Sequence, residues 1–176
     1  MSSPPPLDGA VSATLIEDRY LLGTRLRLRQ MTESGTRAVQ WKLGQKVRPD
    51  PADPGLVSMT NLYLSAEEHA LLRRLPGAEL RKVRHVLMAG GRRCGVDVFE
   101  GRHAGLVMVE VEVAGPDDAV SMPAFAGAEV TSDERYTSGW LAFASDAALA
   151  GLSRSGLDVI RLVIAPRRGR AGSPPG

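Results

Sequence analysis

Lysine is nearly absent from this sequence: Lys42, Lys46 and Lys82 are all there are, against 19 arginines. The simplest cause is a GC-rich genome that encodes arginine wherever a surface cation serves, which makes the three lysines positions to watch. Cysteine is scarcer still. A single Cys94 excludes an internal disulfide and fits a reducing compartment. Its neighbours Arg92 and Arg93 favour a thiolate, but a lone strand cysteine reads first as packing. His69, His85 and His103 are scattered, so no cysteine–histidine set has zinc spacing. Aromatic residues make up 5%, too few for a base-stacking platform, and Trp41 and Trp140 read as core or strand-face residues. No apolar run approaches the ~18–20 residues that span a bilayer. Met1–Gly9 lacks the basic and apolar regions of a signal peptide, so the expected location is cytoplasmic, with no membrane partner. Gly90-Gly91 is not followed by Lys-Ser/Thr, and Ser153-Arg154-Ser155-Gly156 lacks the nucleophile-elbow pattern; both read as turns or loops.

A large excess of one charge sign is missing too. The 176 residues carry 22 Lys and Arg against 20 Asp and Glu, a net charge of +2, with 43% hydrophobic residues. Enough apolar mass exists to bury a core. The excess positive charge sits in Arg161, Arg167, Arg168 and Arg170, and the preceding residues are slightly acidic. Composition therefore argues for a basic tail and against a nucleic-acid-binding domain.

What is present is a period of two. Thr24–Arg29 alternates strictly, and so does Val109–Val113. Further strands are expected over Ala13–Leu22, Arg37–Gln45, Ser58–Leu64, Glu79–Leu87, Arg93–Phe99 and Gly105–Ala114, separated by Gly23, Ser34-Gly35, Gly90-Gly91, Gly101 and Gly115-Pro116. One helix stands out: Ser65 and Glu68 form a capping box, Leu71, Leu72 and Leu75 an apolar face, and Pro76-Gly77 a stop. Shorter helical stretches are Ser138–Phe143 and Asp146–Leu152, and Pro49–Gly55 reads as a long hairpin loop. The expected architecture is α+β: a large antiparallel β-barrel of about seven to eight strands, open or closed, with a few covering helices. Residues 13–165 form one domain between a disordered segment 1–12 and a basic Pro/Gly-rich tail 166–176.

The alternating strands carry charge on one face. Arg25, Arg27 and Arg29 share a face, as do Lys82 with Arg84 and Glu110 with Glu112. Two readings stand. Such faces can be the solvated side of a half-buried sheet. Turned inward, they line a wet cavity in which cations neutralise a polyanion and paired carboxylates hold a hard divalent ion.

Six segments in order resemble the CYTH proteins, the triphosphate tunnel metalloenzymes named for class IV adenylyl cyclase and thiamine triphosphatase. They are Gly23–Arg29, Leu43–Lys46, Lys82–Arg84, Gly95–Gly101, Gly105–Glu112 and Glu129–Tyr136, within a similarity running from about Ile16 to Ala142. The resemblance implies an antiparallel barrel of about eight strands forming a charged tunnel. It also implies Mg²⁺- or Mn²⁺-dependent binding, and commonly hydrolysis, of a triphosphate-containing small molecule or inorganic polyphosphate. Position by position, Arg27, Arg29, Lys46, Lys82 and Arg84 match the phosphate-gripping cations and Glu110 and Glu112 the metal-binding pair. Arg135 and Asp97 match positions near the tunnel, on the phosphate and metal side respectively. Lys42, on the same strand face as Lys46, is the alternative lysine.

The family's opening Glu-x-Glu-x-Lys strand has no counterpart here. Glu17 and Asp18 are adjacent and face opposite sides, so they do not replace an i, i+2 pair. The acidic pair expected in the strand before the capped helix is also missing from Ser58–Leu64, as in a CYTH-like branch from actinobacteria that this strand resembles. A two-metal clamp is difficult with so few acids, and the surviving set favours binding over turnover. A barrel short of one strand exposes two edges. Leu157–Ala165 fills the gap, or the edges pair between two chains as a homodimer, or the missing strand lies upstream.

Overall fold

The structure is a computed structural model that describes residues 7–47, 58–113, 125, 127–152 and 159–164. Seven strands pair antiparallel with one another: β1 (Ser12–Leu21), β2 (Leu26–Glu33), β3 (Val39–Val47), β4 (Ser58–Leu64), β5 (Gly77–Ala89), β6 (Arg92–Phe99) and β7 (Val107–Val113). Their spatial order is β4-β3-β2-β1-β5-β6-β7. Two meanders therefore meet where β1 pairs with β5, and helix α1 (Ala66–Leu72) makes the crossover between them. The expected α+β antiparallel architecture is what forms, and among the described residues the sheet does not close on itself.

The hairpin chemistry follows the sequence closely. Gly90 and Gly91 have φ of 56° and 75°, which a two-residue turn between the paired Ala89 and Arg92 requires and which other residues resist. The capping box at α1 is complete: the Glu68 carboxylate accepts from the Ser65 amide at 2.7 Å, and the Ser65 hydroxyl from the Glu68 amide at 3.2 Å.

Four expectations need correction. Arg25 precedes β2 and is exposed, so the arginine row on the strand starts at Arg27. The expected apolar face of α1 is not buried as a whole: Leu71 is 61% exposed and Leu75, past the end of the helix, 45%, Leu72 is half-buried, and the helix docks through buried His69 against Trp41, ring centroids 6.3 Å apart. Its seven residues make about two turns. Leu7–Gly9, expected disordered, is a 3-10 turn whose flanking Leu7 and Ala10 pack on the core. Finally, Val159–Ile164 forms β9, which joins β7 in parallel and carries the two-residue β8 (Ala128–Glu129) on its far side. It extends the sheet beyond β7 and leaves β4 at the other edge. Pro49–Gly55 and the tail 166–176 lie outside the described residues.

Alternation sends side chains to two faces, and each has its own core. On one face Leu87, Cys94, Val96, Val109 and Val111 pack under Leu7 and Ala10. On the other, Leu80, Phe99 and Met108 pack under Tyr136 and under Leu141 of α2 (Ser138–Phe143) and Leu149 of α3 (Asp146–Ala150). No helix among the described residues is long and apolar enough to cross a membrane.

Gly77 marks the tightest approach in the sheet. A Cβ there would lie 2.4 Å from the Tyr20 carbonyl oxygen, whereas one at Gly35 would meet nothing within 4 Å. Gly77→Ala is expected to cost about 1–3 kcal/mol, the usual range for overpacking, and Gly35→Ala to be near neutral. Thermal unfolding of the two variants checks this; equal melting temperatures would contradict it.

Candidate functional site

The register puts charged residues of five strands, β1, β2, β5, β6 and β7, on the face that also bears Leu80, Phe99 and Met108. On β1 and β2, Asp18 lies opposite Arg29 and Tyr20 opposite Arg27. Arg29 grips Asp18 with two parallel bonds, Nε to Oδ1 at 2.6 Å and Nη2 to Oδ2 at 2.7 Å. Such forked pairs are the strong, directional form of an ion pair. Asp18 is 2% exposed. Burial alone would raise its pKa, but Arg29, with Arg27 and Lys82 behind it, holds the carboxyl below its ordinary value. Burial, with the Asp18 charge, pushes the Tyr20 phenol up.

Arg27 is treated differently. Its Nε lies 3.7 Å from Asp18 Oδ1, and that buried atom has no hydrogen-bond partner among the described residues. An orphaned buried donor costs about 1–3 kcal/mol unless something fills the vacancy. The side chain lies against Gly44, its register partner on β3, where a Cβ would come 3.6 Å from Arg27 Nη2 and 3.1 Å from Asn61 Oδ1.

A second cluster spans β5, β6 and β7. Asp97 is fully buried and stands opposite Arg84. Its Oδ2 accepts from Lys82 Nζ at 2.5 Å and Arg84 Nη2 at 2.7 Å, and its Oδ1 from Arg84 Nε at 2.6 Å. Arg84 also bonds the Glu110 carboxylate. To reach it the side chain crosses Gly95, the residue opposite Glu110, where a Cβ would be 3.5 Å from Arg84 Nε. Lys82 is 2% exposed and lies 5.2 Å from the Phe99 ring centroid. Desolvation opposes the charge on Asp97, but Lys82 and Arg84 outweigh it and bring its pKa to about 2. Desolvation likewise works against the Arg84 cation, and its bonds to Asp97 and Glu110 win, raising its pKa.

The two clusters flank β1 and feel each other. The Lys82 charge lowers the pKa of Asp18, and Arg84 repels Arg29. Within this patch Arg27, Arg29, Lys82 and Arg84 oppose Asp18, Asp97 and Glu110, one cation in excess. Asp18, Lys82 and Asp97 on this face are buried, as charges on a solvated face would not be. Lys42 adds a cation opposite Arg29 and lies 5.0 Å from the Tyr63 ring centroid. Lys46 is exposed near the end of β3, opposite Met59. Arg135 joins a different place: it pairs with Asp133 in its own 3-10 turn, Nη2 to Oδ2 at 2.6 Å. The backbone of Glu112 continues β7 two residues after Glu110, and its side chain lies outside the described residues.

The expected divalent ion fits this donor set poorly. Both Asp97 oxygens are spent on Lys82 and Arg84, and Glu110 is bound by Arg84. Among the described residues no group of three or more His, Cys, Asp or Glu converges as a metal cage. What the patch offers directly is positive charge for an anion.

A cavity of about 260 Å³ opens under α1, lined by Glu17, Arg19, His69, Arg73, Glu79 and Arg81 and touching Asp18 and Leu80 as well. Arg19 pairs with Glu79 at 2.9 Å, and Arg81 pairs with Glu17 at 3.5 Å and more closely with Glu100 at 2.6 Å. Among the described residues Asp18 is the one member of the strand clusters that lines the cavity.

Asp18, Gly44, Asn61 and Gly95 are the residues that sequence reasoning passed over. The signal for Asp18 was its i+2 relation to Tyr20 in a strand facing the arginine row. The glycines gave a fainter signal, a missing side chain in an alternating strand. Comparison of the chain with protein-family models, curated proteins and solved structures finds no match.

Asp97 and Asp18 are both held below the ordinary carboxyl value of 3.8. The folded protein therefore binds fewer protons than the unfolded chain at low pH. The stability these acids add is full above about pH 4 and is lost as pH falls toward 2. Asp97→Asn leaves Lys82 and Arg84 buried against a neutral amide and is expected to cost about 3–5 kcal/mol at neutral pH. It should also flatten the acid limb of the stability curve. Urea unfolding at neutral pH and at about pH 3 measures both; wild-type stability in the variant at neutral pH would refute the assignment.

Proposed function

We propose that the charged face binds a triphosphate group or a short inorganic polyphosphate on a CYTH-like sheet. The observation that carries this reading is the pair of cationic sets facing each other across β1. Arg27 and Arg29 come from β2, Lys82 and Arg84 from β5, near enough that Arg84 repels Arg29. An extended polyanion laid over β1 relieves that repulsion at every step and supplies the acceptor that the buried Arg27 Nε lacks. Guanidinium forks match phosphate oxygens in shape as well as charge. Asp18 and Asp97 keep the cations oriented, so little side-chain entropy is lost when an anion arrives.

Mg²⁺ or Mn²⁺ enters this reading with the ligand. Mg²⁺ commonly binds through one or two carboxylates plus substrate phosphates, and Glu110 and Glu112, two residues apart in the sequence of β7, are the carboxylates this reading assigns to it. Their i, i+2 spacing is the observation favouring the second reading, hydrolysis of the phosphoanhydride. Binding without turnover has the stronger support, because Arg84 already occupies Asp97 and Glu110.

Calorimetry with tripolyphosphate, with and without Mn²⁺, is the test. The folded protein is expected to bind tripolyphosphate more tightly than orthophosphate. Arg27→Ala, which leaves the Asp18–Arg29 fork intact, is expected to weaken binding roughly tenfold or more, the loss of one or more charged hydrogen bonds. No binding by the folded wild-type chain would sink the proposal. Phosphate release in the presence of Mn²⁺ would establish the hydrolytic reading, and its absence would leave binding alone.

A further inference from the structure

We propose that β4 is a pairing edge at which a second copy of this chain adds its own β4 antiparallel, with the two-fold axis passing through Asn61. Among the described residues β4 pairs on one side alone, with β3, and every residue from Ser58 to Tyr63 is exposed. An unpaired edge presents a row of free N–H and C=O groups, and soluble proteins guard such edges with charge, proline or a bulge. Ser58-Met59-Thr60-Asn61-Leu62-Tyr63-Leu64 has no charge and no proline, and it pairs residue for residue with β3 from Ser58 to Leu64, without a bulge. It carries three large exposed apolar side chains, Met59, Leu62 and Tyr63.

The segment is complementary to itself. Antiparallel pairing centred on Asn61 sets Met59 against Tyr63 of the other copy, Thr60 against Leu62, and Asn61 against Asn61. It is the register that pairs all seven residues. It matches an apolar residue to an aromatic one twice, and a threonine to a leucine twice, on opposite faces. A slip by one residue would set side chains of one face against those of the other. No like charges meet anywhere along the strand, so nothing in its chemistry opposes the pairing. A second copy is the occupant whose pattern is known to fit, because the fit is to the strand's own sequence.

An edge-to-edge two-fold keeps the same face of both sheets on the same side. Gly44 and Arg27 of each copy then lie one and two strands from the axis, in a row running Arg27, Gly44, Asn61 and its mirror image. The charged faces become neighbours, and this consequence alone rests on the phosphate reading; the pairing itself does not.

Sedimentation of the full chain is expected to give twice the 18.8 kDa chain mass at concentrations where Thr60→Lys/Leu62→Lys gives the single mass. That double variant places lysines opposite lysines at two points. Mixing it with Thr60→Glu/Leu62→Glu should restore the doubled mass, which a merely misfolded variant could not do. Register has its own readout under oxidised glutathione. Asn61→Cys faces its own copy at roughly 4.5–5.5 Å between Cα atoms, inside the disulfide range, and should cross-link. Leu62→Cys sits diagonally from its mate at about 7–8 Å and should not. A monomeric wild type, a doubled mass unaffected by the lysines, or equal cross-linking at both cysteines would overturn the proposal. Because mass and cross-linking are read without phosphate, failure here leaves the tripolyphosphate result standing, and the converse.

Discussion

A fully buried carboxylate at the middle of the sheet sets the terms for everything around it. Asp97 could not be charged in that position without Lys82 and Arg84, and those two could not be buried without Asp97. Breaking such a set is costly even where its net contribution over an apolar alternative is small. The pairing therefore acts chiefly on register. Only one alignment of β5 with β6 puts Arg84 opposite Asp97, and a shift of one residue would strand a charge among Leu87, Val96 and Val109 on the other face.

Around that network the sheet divides its labour. Below the charges, Leu80, Phe99 and Met108 take the apolar contacts of α2 and α3. On the reverse face a second cluster buries Cys94 and its valine neighbours. The charges are thus backed by packed apolar layers that exclude water and strengthen each ion pair. Two glycines complete the arrangement by omission. Gly44 and Gly95 leave room on the charged face for Arg27 and Arg84 to lie flat across their neighbours. The acids hold the cations in place, and the glycines let them turn along the sheet instead of out of it.

The two ends of the sheet are finished differently. Beyond β7 the chain returns to add β9 and β8, so the charged strands β5 to β7 lie inside the sheet. At the other end β4 is left as an apolar, uncharged edge one strand from the lysines of β3. The inner cluster is insulated while the outer cations, Lys42 and Lys46, stand near an edge open to association.

Much of the fold was legible from residue order. Alternation in Thr24–Arg29 and Val109–Val113 located strands, the Ser65–Glu68 pair located a helix start, and Gly90-Gly91 a turn, because each is a local property of backbone sterics and hydrogen bonding. The same alternation grouped Arg27 with Arg29, Lys82 with Arg84, and Glu110 with Glu112. What residue order could not say was which way those faces pointed. A row of arginines reads alike whether water or Asp18 lies opposite, since the deciding partner is on another strand. Nor could it show that His69 would dock α1, that Arg135 would turn to Asp133, or that Val159–Ile164 would join β7 in parallel. Local sequence determined the strands and the pairs of like charge on them. Tertiary pairing decided which charges were buried together, because desolvation and Coulomb energy depend on neighbours many residues away.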